Sequence, residues 1–356
     1  MKRRQVISAI AAGTTGMYVF AQPAAGEKQA VRASTRTSAG TSTSTGASAP
    51  GARLPQKLVF GLITPRSPEL ILKNWNPFIE RMAQAVGIPI EARTFTAQGD
   101  LVKEFLDDRI DLAWLGNAPA LEIVEAGKGS VFAAMVVQGK TAYRSVLITQ
   151  KDSTLRTLED VHRMAGRLVF GDGDVKSTSG HIVPRYFGFV KKGINEPDKL
   201  FKEIRRSSHE GNIQAVLKQD VDVATNNTSE LDYFRTAKPD QANLIRVIWE
   251  SPDIPESPLM LRRDIPADIK KKISVFAYKF GAVDDEEKGV LWNINKLTAF
   301  RQSSNRQLIT IADLEMFNAR QRINNDSKLS TPERQQQIED VTKRGSKLEL
   351  LLKRTG

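Results

Sequence analysis

Lys176-Ser177-Thr178-Ser179-Gly180-His181 sets three consecutive hydroxyl residues in front of a glycine. Val183, Phe187 and Val190 follow at helical spacing, with Pro184 in the expected first turn. A helix start leaves backbone N–H groups unpaired and carries partial positive charge, so it receives anions. Hydroxyls gathered at such a start add donors that can surround a tetrahedral oxyanion. The same residues also serve as an ordinary N-cap and polar turn, and local sequence leaves both readings open. Asn117, with Pro119 behind it, predicts a second helix start that could face a ligand.

The elements that must position these residues alternate. Leu58–Ile63 is a short apolar run bounded by Thr64-Pro65, read as a buried strand. Leu70 to Val86 gives a helical face, Ile88–Phe95 a strand, Leu101–Leu106 a helix, and Asp111–Gly116 a strand. Strands follow at Val131–Gln138 and Ser145–Thr149. A second block repeats the pattern. Leu158–Met164 and His209–Leu217 read as helices, and Leu168–Gly171, Phe201–Arg205 and Asp222–Thr225 as strands. Leu244–Trp249 reads as a strand returning to the first block, paired with Leu259–Leu261. From Pro266 onward the pattern is mostly helical. Such alternation predicts an α/β protein with parallel sheets and binding loops at the strand C-termini.

The 356 residues suffice for two domains with cores, and 40% hydrophobic with 26% charged residues is ordinary for a globular chain. The absence of cysteine excludes disulfides, thiolate metal sites and a cysteine nucleophile. Of the net charge of +11, residues 1–25 carry three and residues 26–55 another three, which leaves +5 for the body. That mild excess suits small anions. No basic stripe is interleaved with aromatics, so nucleic acid is not an expected partner. Neither metal-ligand spacing nor a nucleophile-elbow motif is present, and with three histidines the inventory for an enzyme is thin. No cofactor is expected.

Residues 1–25 read as an export signal: Lys2-Arg3-Arg4, a modest apolar stretch from Val6 to Phe20, and small residues at Ala21 and Ala24-Ala25. Arg3-Arg4 resembles a twin-arginine signal, and Sec export fits as well. Residues 26–55 read as a disordered Ser/Thr/Ala/Gly linker. At the other end, Ile338, Val341, Leu348 and Leu352 lie near a seven-residue pattern with Gly345 as a gap. This strip predicts either packing against the body or a weak dimer contact.

Five motifs in order carry a resemblance: Asp111-Leu112-Ala113-Trp114-Leu115-Gly116-Asn117, Gly171 through Pro184, Ser208-His209-Glu210, Asp222 through Thr228, and Val247 through Pro252. Together they resemble the periplasmic phosphonate-binding proteins of ABC transporters, over residues 57 to 320. The resemblance implies a two-lobed, type II-like periplasmic binding fold with a hinge near 145–150 and 245–252 and a ligand cleft between the lobes. Lobe 1 would take residues 56–147 with 250–320, lobe 2 residues 148–249, and 321–356 a helical tail. It implies an inner-membrane ABC permease as partner. A ligand-presenting sensor subunit is the alternative role.

The resemblance also implies site residues. Ser177, Thr178 and Ser179 would hold the phosphonate oxygens, with Tyr143 and His209 as further donors. Relatives that take aminoalkylphosphonates hold the ammonium with carboxylates, and the aligned positions here are Ser229 and Ser257. Gln98 stands where an aromatic is expected. Glu230 and Glu256 are one residue away, and on a helix one residue turns a side chain by about 100°. The expected pocket therefore lacks the amine clamp and suits phosphite, phosphate or a hydroxyalkylphosphonate. His162 and His181 gain no role from the resemblance, with His181 expected at the rim. Arg66 and Arg144 are expected to be solvated surface residues.

Overall fold

All six residues of β1 (Leu58–Ile63) are buried, as a strand in the middle of a covered sheet requires. The computed structural model describes residues 56–354. The expected export signal and the whole of the expected linker lie outside the described residues. After β1 come α1 (Pro68–Val86), β2 (Ile90–Phe95), α2 (Gln98–Leu106), β3 (Leu112–Trp114), α3 (Asn117–Glu125) and β4 (Gly129–Val137). The chain then passes through β5 (Ala142–Tyr143) into β6 (Ser145–Gln150), α4 (Leu158–Met164), β7 (Val169–Asp172) and β8 (Glu203–Arg206). Next are α5 (His209–Leu217), β9 (Val223–Asn227), α6 (Thr228–Ala237), α7 (Pro239–Ala242) and β10 (Ile245–Glu250). It returns through β11 (Ile254–Pro255) to β12 (Pro258–Arg262), α8 (Ala267–Lys279), α9 (Asp285–Asn295), β13 (Leu297–Gln302), α10 (Ile309–Asn325) and α11 (Thr331–Arg354).

Two sheets result. One has the order β13-β4-β12-β3-β1-β2, the other β10-β6-β9-β7-β8, and the small pair β5–β11 lies where the chain crosses between them. β1 is parallel to β2 and β3, and β7 is parallel to β8 and β9. The C-terminal ends of β1, β3, β7 and β9 lead into Thr64, Gly116, Gly173 and Asn227, all of which line one cavity. This is the crevice where open α/β sheets receive ligands.

Local chemistry explains the helix that opens the first sheet. Ser67 caps α1 by accepting from the Leu70 N–H at 3.3 Å, and Gly87 ends it at φ 78°, a conformation that glycine adopts without strain. Trp75 and Phe78 on its inner face meet Phe60, Trp114 and Phe300. Two smaller apolar clusters, around Phe170 and around Ile213, serve the second sheet.

Two expectations require correction, and a third holds with one strand added. β10 does not pair with 259–261; it lies antiparallel to β6 at the edge of the second sheet. Its residues are half-buried or exposed, as an edge strand allows, whereas β12 is buried between β3 and β4. The mostly helical C-terminal region contains β13, which adds an edge to the first sheet. The segment after Ser177 is not a plain α-helix but two π-helical turns, Thr178–Ile182 and Arg185–Phe189, a form that clusters at functional sites.

The apolar strip of α11 is used within the chain. Leu348 and Leu352 are buried, Val341 packs against the same core, and Gly345 lets Met316 of α10 approach. A Cβ at Gly345 would stand 3.2 Å from Met316 Cγ. Nothing in this packing supports the dimer alternative.

Candidate functional site

The hydroxyl turn is held open as a set of donors. Ser177 Oγ accepts from the Gly180 N–H at 3.0 Å, and Thr178 Oγ1 accepts from the Ala118 N–H at 2.8 Å. Ser179 Oγ lies 3.2 Å from His209 Nε2 and accepts from Asn227 Nδ2 at 3.4 Å. A hydroxyl oxygen that already accepts still has its own proton to give. The turn therefore presents O–H donors whose oxygens are occupied by protein N–H groups.

The backbone beneath is tight. Gly173 donates to the Gly180 carbonyl at 3.0 Å, and a Cβ there would stand 2.7 Å from Gly180 Cα. Only glycine fits this approach. Asp172, fully buried, anchors the loop from below. Its Oδ1 accepts the Gly173 N–H at 3.0 Å, and its Oδ2 receives His181 Nδ1 at 2.9 Å and Arg185 Nη1 at 3.3 Å. Arg206 Nε stands 3.5 Å from the same oxygen. His181 thus turns back to Asp172 and lines a separate groove on the other side. His162 bonds the Gly188 carbonyl at 2.8 Å, a structural role.

His209 opens α5, which Ser208 caps through the Gly211 N–H at 3.1 Å. Burial pushes the imidazole down to about 4, so the ring is neutral at neutral pH. Its Nδ1 is buried without a partner, which suits a bare nitrogen better than an N–H. The proton then sits on Nε2 and points to Ser179. Tyr143 is also buried, and burial with the nearby Glu256 carboxyl pushes its phenol further up, so it remains an O–H donor.

These groups line a cavity of about 400 Å³ between the two sheets. Ser177, Thr178, Ser179, His209, Tyr143, Gln98, Ser229 and Ser257 all border it. Gln98 is largely buried, its Oε1 3.5 Å from the Gly116 N–H. Arg144 stays outside, half-exposed and paired with Glu250 and Asp253.

Two carboxyls that sequence reasoning set aside border the cavity as well: Glu230 and Glu256. The helical rotation argument does not reach Glu256, which sits in the extended link between β11 and β12. There Ser229 Oγ donates to Glu256 Oε1 at 2.9 Å, and the Ser257 N–H to Oε2 at 3.3 Å. Glu230 is in the first turn of α6, where neighbouring positions both meet the cavity. Arg66 is no surface residue either. It is 6% exposed, and its Nε lies 3.4 Å from Glu230 Oε2.

Burial raises Glu256 from its ordinary 4.5 to about 7, against the pull of the Ser229 and Ser257 hydrogen bonds. Burial also raises Glu230, with the Arg66 charge opposing. Glu256 fixes a direction for pH. Between about 4.5 and 7 the folded protein keeps a proton that the unfolded chain releases, so this group's contribution is full below 4.5 and lost as pH rises through 7. The effect is on the order of 3 kcal/mol. Glu256→Gln is expected to flatten that slope and to raise the melting temperature of the empty protein above wild type at pH 8, but not at pH 4. Parallel melting curves at the two pH values check it.

Residues 60–308 match the family model described as ABC transporter, phosphonate, periplasmic substrate-binding protein. The chain belongs to that family. It is 37% identical over 292 residues to the phosphonates-binding periplasmic protein of Escherichia coli (strain K12), covering 80% of this chain and 85% of that one. A binding protein component of an ABC phosphonate transporter from Pseudomonas aeruginosa superposes with a TM-score of 0.76 at 35% identity, over 82% of this chain and 96% of that one. A Prochlorococcus marinus protein, solved with methylphosphonate, shares the fold at a TM-score of 0.65 and 17% identity, over 73% and 97% of the two chains. In this periplasmic binding-protein family the two sheets are the cores of two lobes, and the cavity is the cleft between them. Among the described residues, no helix is long and apolar enough to cross a membrane.

Proposed function

We propose that this chain captures a small phosphonate in the interlobe cavity and presents it to an ABC permease. The observation that carries the reading is the hydroxyl turn. Ser177 and Thr178 have backbone N–H groups on their oxygens, and Ser179 has side-chain N–H groups, so all three keep a proton for an oxyanion. Tyr143 would complete the shell as a neutral donor, and His209 would act beside it by donating its one N–H to Ser179. The head group is then held by these hydrogen bonds, with Arg206, paired to Asp172 and Asp198, bordering the same cavity.

The far side of the cavity would read the substituent. Ser229, Ser257 and Glu256 accept and donate there, and Gln98 borders the same space. Such a wall suits a substituent that carries a hydroxyl or an ammonium. A phosphonate monoanion also keeps a P–O–H that a carboxylate can accept, whereas sulfate at neutral pH brings no proton. The chain should therefore prefer phosphonates over sulfate. Calorimetry of the purified protein with methylphosphonate, 2-aminoethylphosphonate, phosphate and sulfate tests the proposal. Binding of sulfate as tight as any phosphonate would overturn it.

Residues 1–25 would direct export by the twin-arginine or Sec route, and 26–55 would tether the body. N-terminal sequencing of the exported protein reads whether cleavage follows Ala21 or Ala25.

A further inference from the structure

Arg66 sits behind the cavity wall, not in it. It follows β1 in the first lobe, and its guanidinium donates at 3.3 Å to the Ile294 carbonyl and to Asn295 Oδ1, at the end of α9 in the same lobe. Its other face meets α6 of the second lobe. Nε lies 3.4 Å from Glu230 Oε2, and Cζ stands 3.9 Å from the centre of the Tyr233 ring. Nε and Nη1 make no hydrogen bond, so Glu230 is held by charge and not by a directed bond. Thr64, Pro65, Glu230 and Asn295 border the ligand cavity, and Arg66 touches it only through them.

The charge balance gives this arrangement a consequence. An anion entering the cavity meets two buried carboxyls, Glu230 and Glu256, besides the partly exposed Asp174 and Arg206, of which Arg206 is already paired with Asp172 and Asp198. Glu256 is acted on by Ser229, Ser257 and Glu230, none of them a cation. Glu230 has the Arg66 guanidinium at ion-pair distance. Like charges brought together in a desolvated site oppose binding strongly.

We propose that Arg66 is a specificity-determining residue that acts through Glu230: by balancing this carboxylate from outside the cavity, it admits phosphonates whose substituent is uncharged. This rests on the phosphonate reading of the cavity. Without Arg66, Glu230 would have to take up a proton before an anion bearing no cation could enter, whereas a ligand that brings an ammonium would pair with the carboxylate.

The test is the ratio of dissociation constants for methylphosphonate and 2-aminoethylphosphonate, measured by calorimetry at pH 7.5. Arg66→Gln is expected to move that ratio by about tenfold or more toward the amino ligand. Arg66→Lys, which keeps the charge, should stay within about twofold of wild type. Glu230→Gln should move the ratio the opposite way, and adding Arg66→Gln to it should change little. A merely structural arginine would weaken both ligands alike and leave the ratio fixed, which would overturn the proposal. An equal shift from Arg66→Gln with and without Glu230 would also overturn it. Should Arg66→Gln not fold, an unmoved ratio in Glu230→Gln alone is decisive against it. If wild type binds neither phosphonate, the reading of the cavity fails and this inference with it; if wild type binds and the ratio does not move, only the inference fails.

Discussion

Thr178→Ala is expected to weaken methylphosphonate binding by roughly 50-fold or more. The hydroxyl has two partners to lose. As a donor to a charged oxygen it contributes about 1.5–3 kcal/mol. As an acceptor it satisfies the Ala118 N–H at 2.8 Å, in a buried contact between α3 of one lobe and the hydroxyl turn of the other. Leaving that N–H unpaired costs about 1–3 kcal/mol more whenever the lobes are together. Thr178→Ser keeps both roles and is expected to remain within about threefold of wild type. Calorimetry on the pair separates the hydroxyl from the methyl. An unchanged affinity in Thr178→Ala would mean that the ligand sits elsewhere.

Asp172→Ala is expected to lower the melting temperature by roughly 6–15 °C, from a loss of about 3–5 kcal/mol. Asp172 is fully buried and gathers His181, Arg185, Arg206 and the Gly173 N–H onto one carboxylate. Removing it strands those donors. Arg185 and Arg206 retain Asp198, and Arg206 is partly exposed, which argues for the lower half of the range. Phosphonate affinity should fall in the same variant, because Asp172 holds the backbone that closes Gly173 onto Gly180. Asp172→Asn keeps an acceptor for Gly173 and should lose less. Thermal melting checks both, and a drop below about 2 °C would show that the carboxylate does not anchor the loop.

Local chemistry was legible in the sequence. The buried run of β1 and the starts of α3 and α5 rest on residues close in the chain and read from neighbours alone, whereas the hydroxyl turn leaves cap and anion site both open until its distant partners are known. Pairing and burial did not read, because they depend on distant partners. The residues of β10 suit any edge, and nothing local says that the edge is β6. Arg66 looks like a loop arginine until Asn295 and Glu230 are brought to it from far along the chain. Glu256 was discounted by a helix rule applied to an extended segment. Ser229 is the useful correction. It stands in the cavity as expected, yet it does so by presenting the neighbouring Glu256 carboxyl, so two positions that seemed to exclude an acid instead hold one.

The most direct test is a crystal structure of the protein with methylphosphonate. The phosphonate oxygens are expected within about 3 Å of the Ser177, Thr178 and Ser179 hydroxyls, with His209 and Tyr143 beside them and the methyl group toward Glu256. A phosphonate found instead against Lys176 and Arg185 in the outer groove, with the hydroxyl turn untouched, would contradict the account.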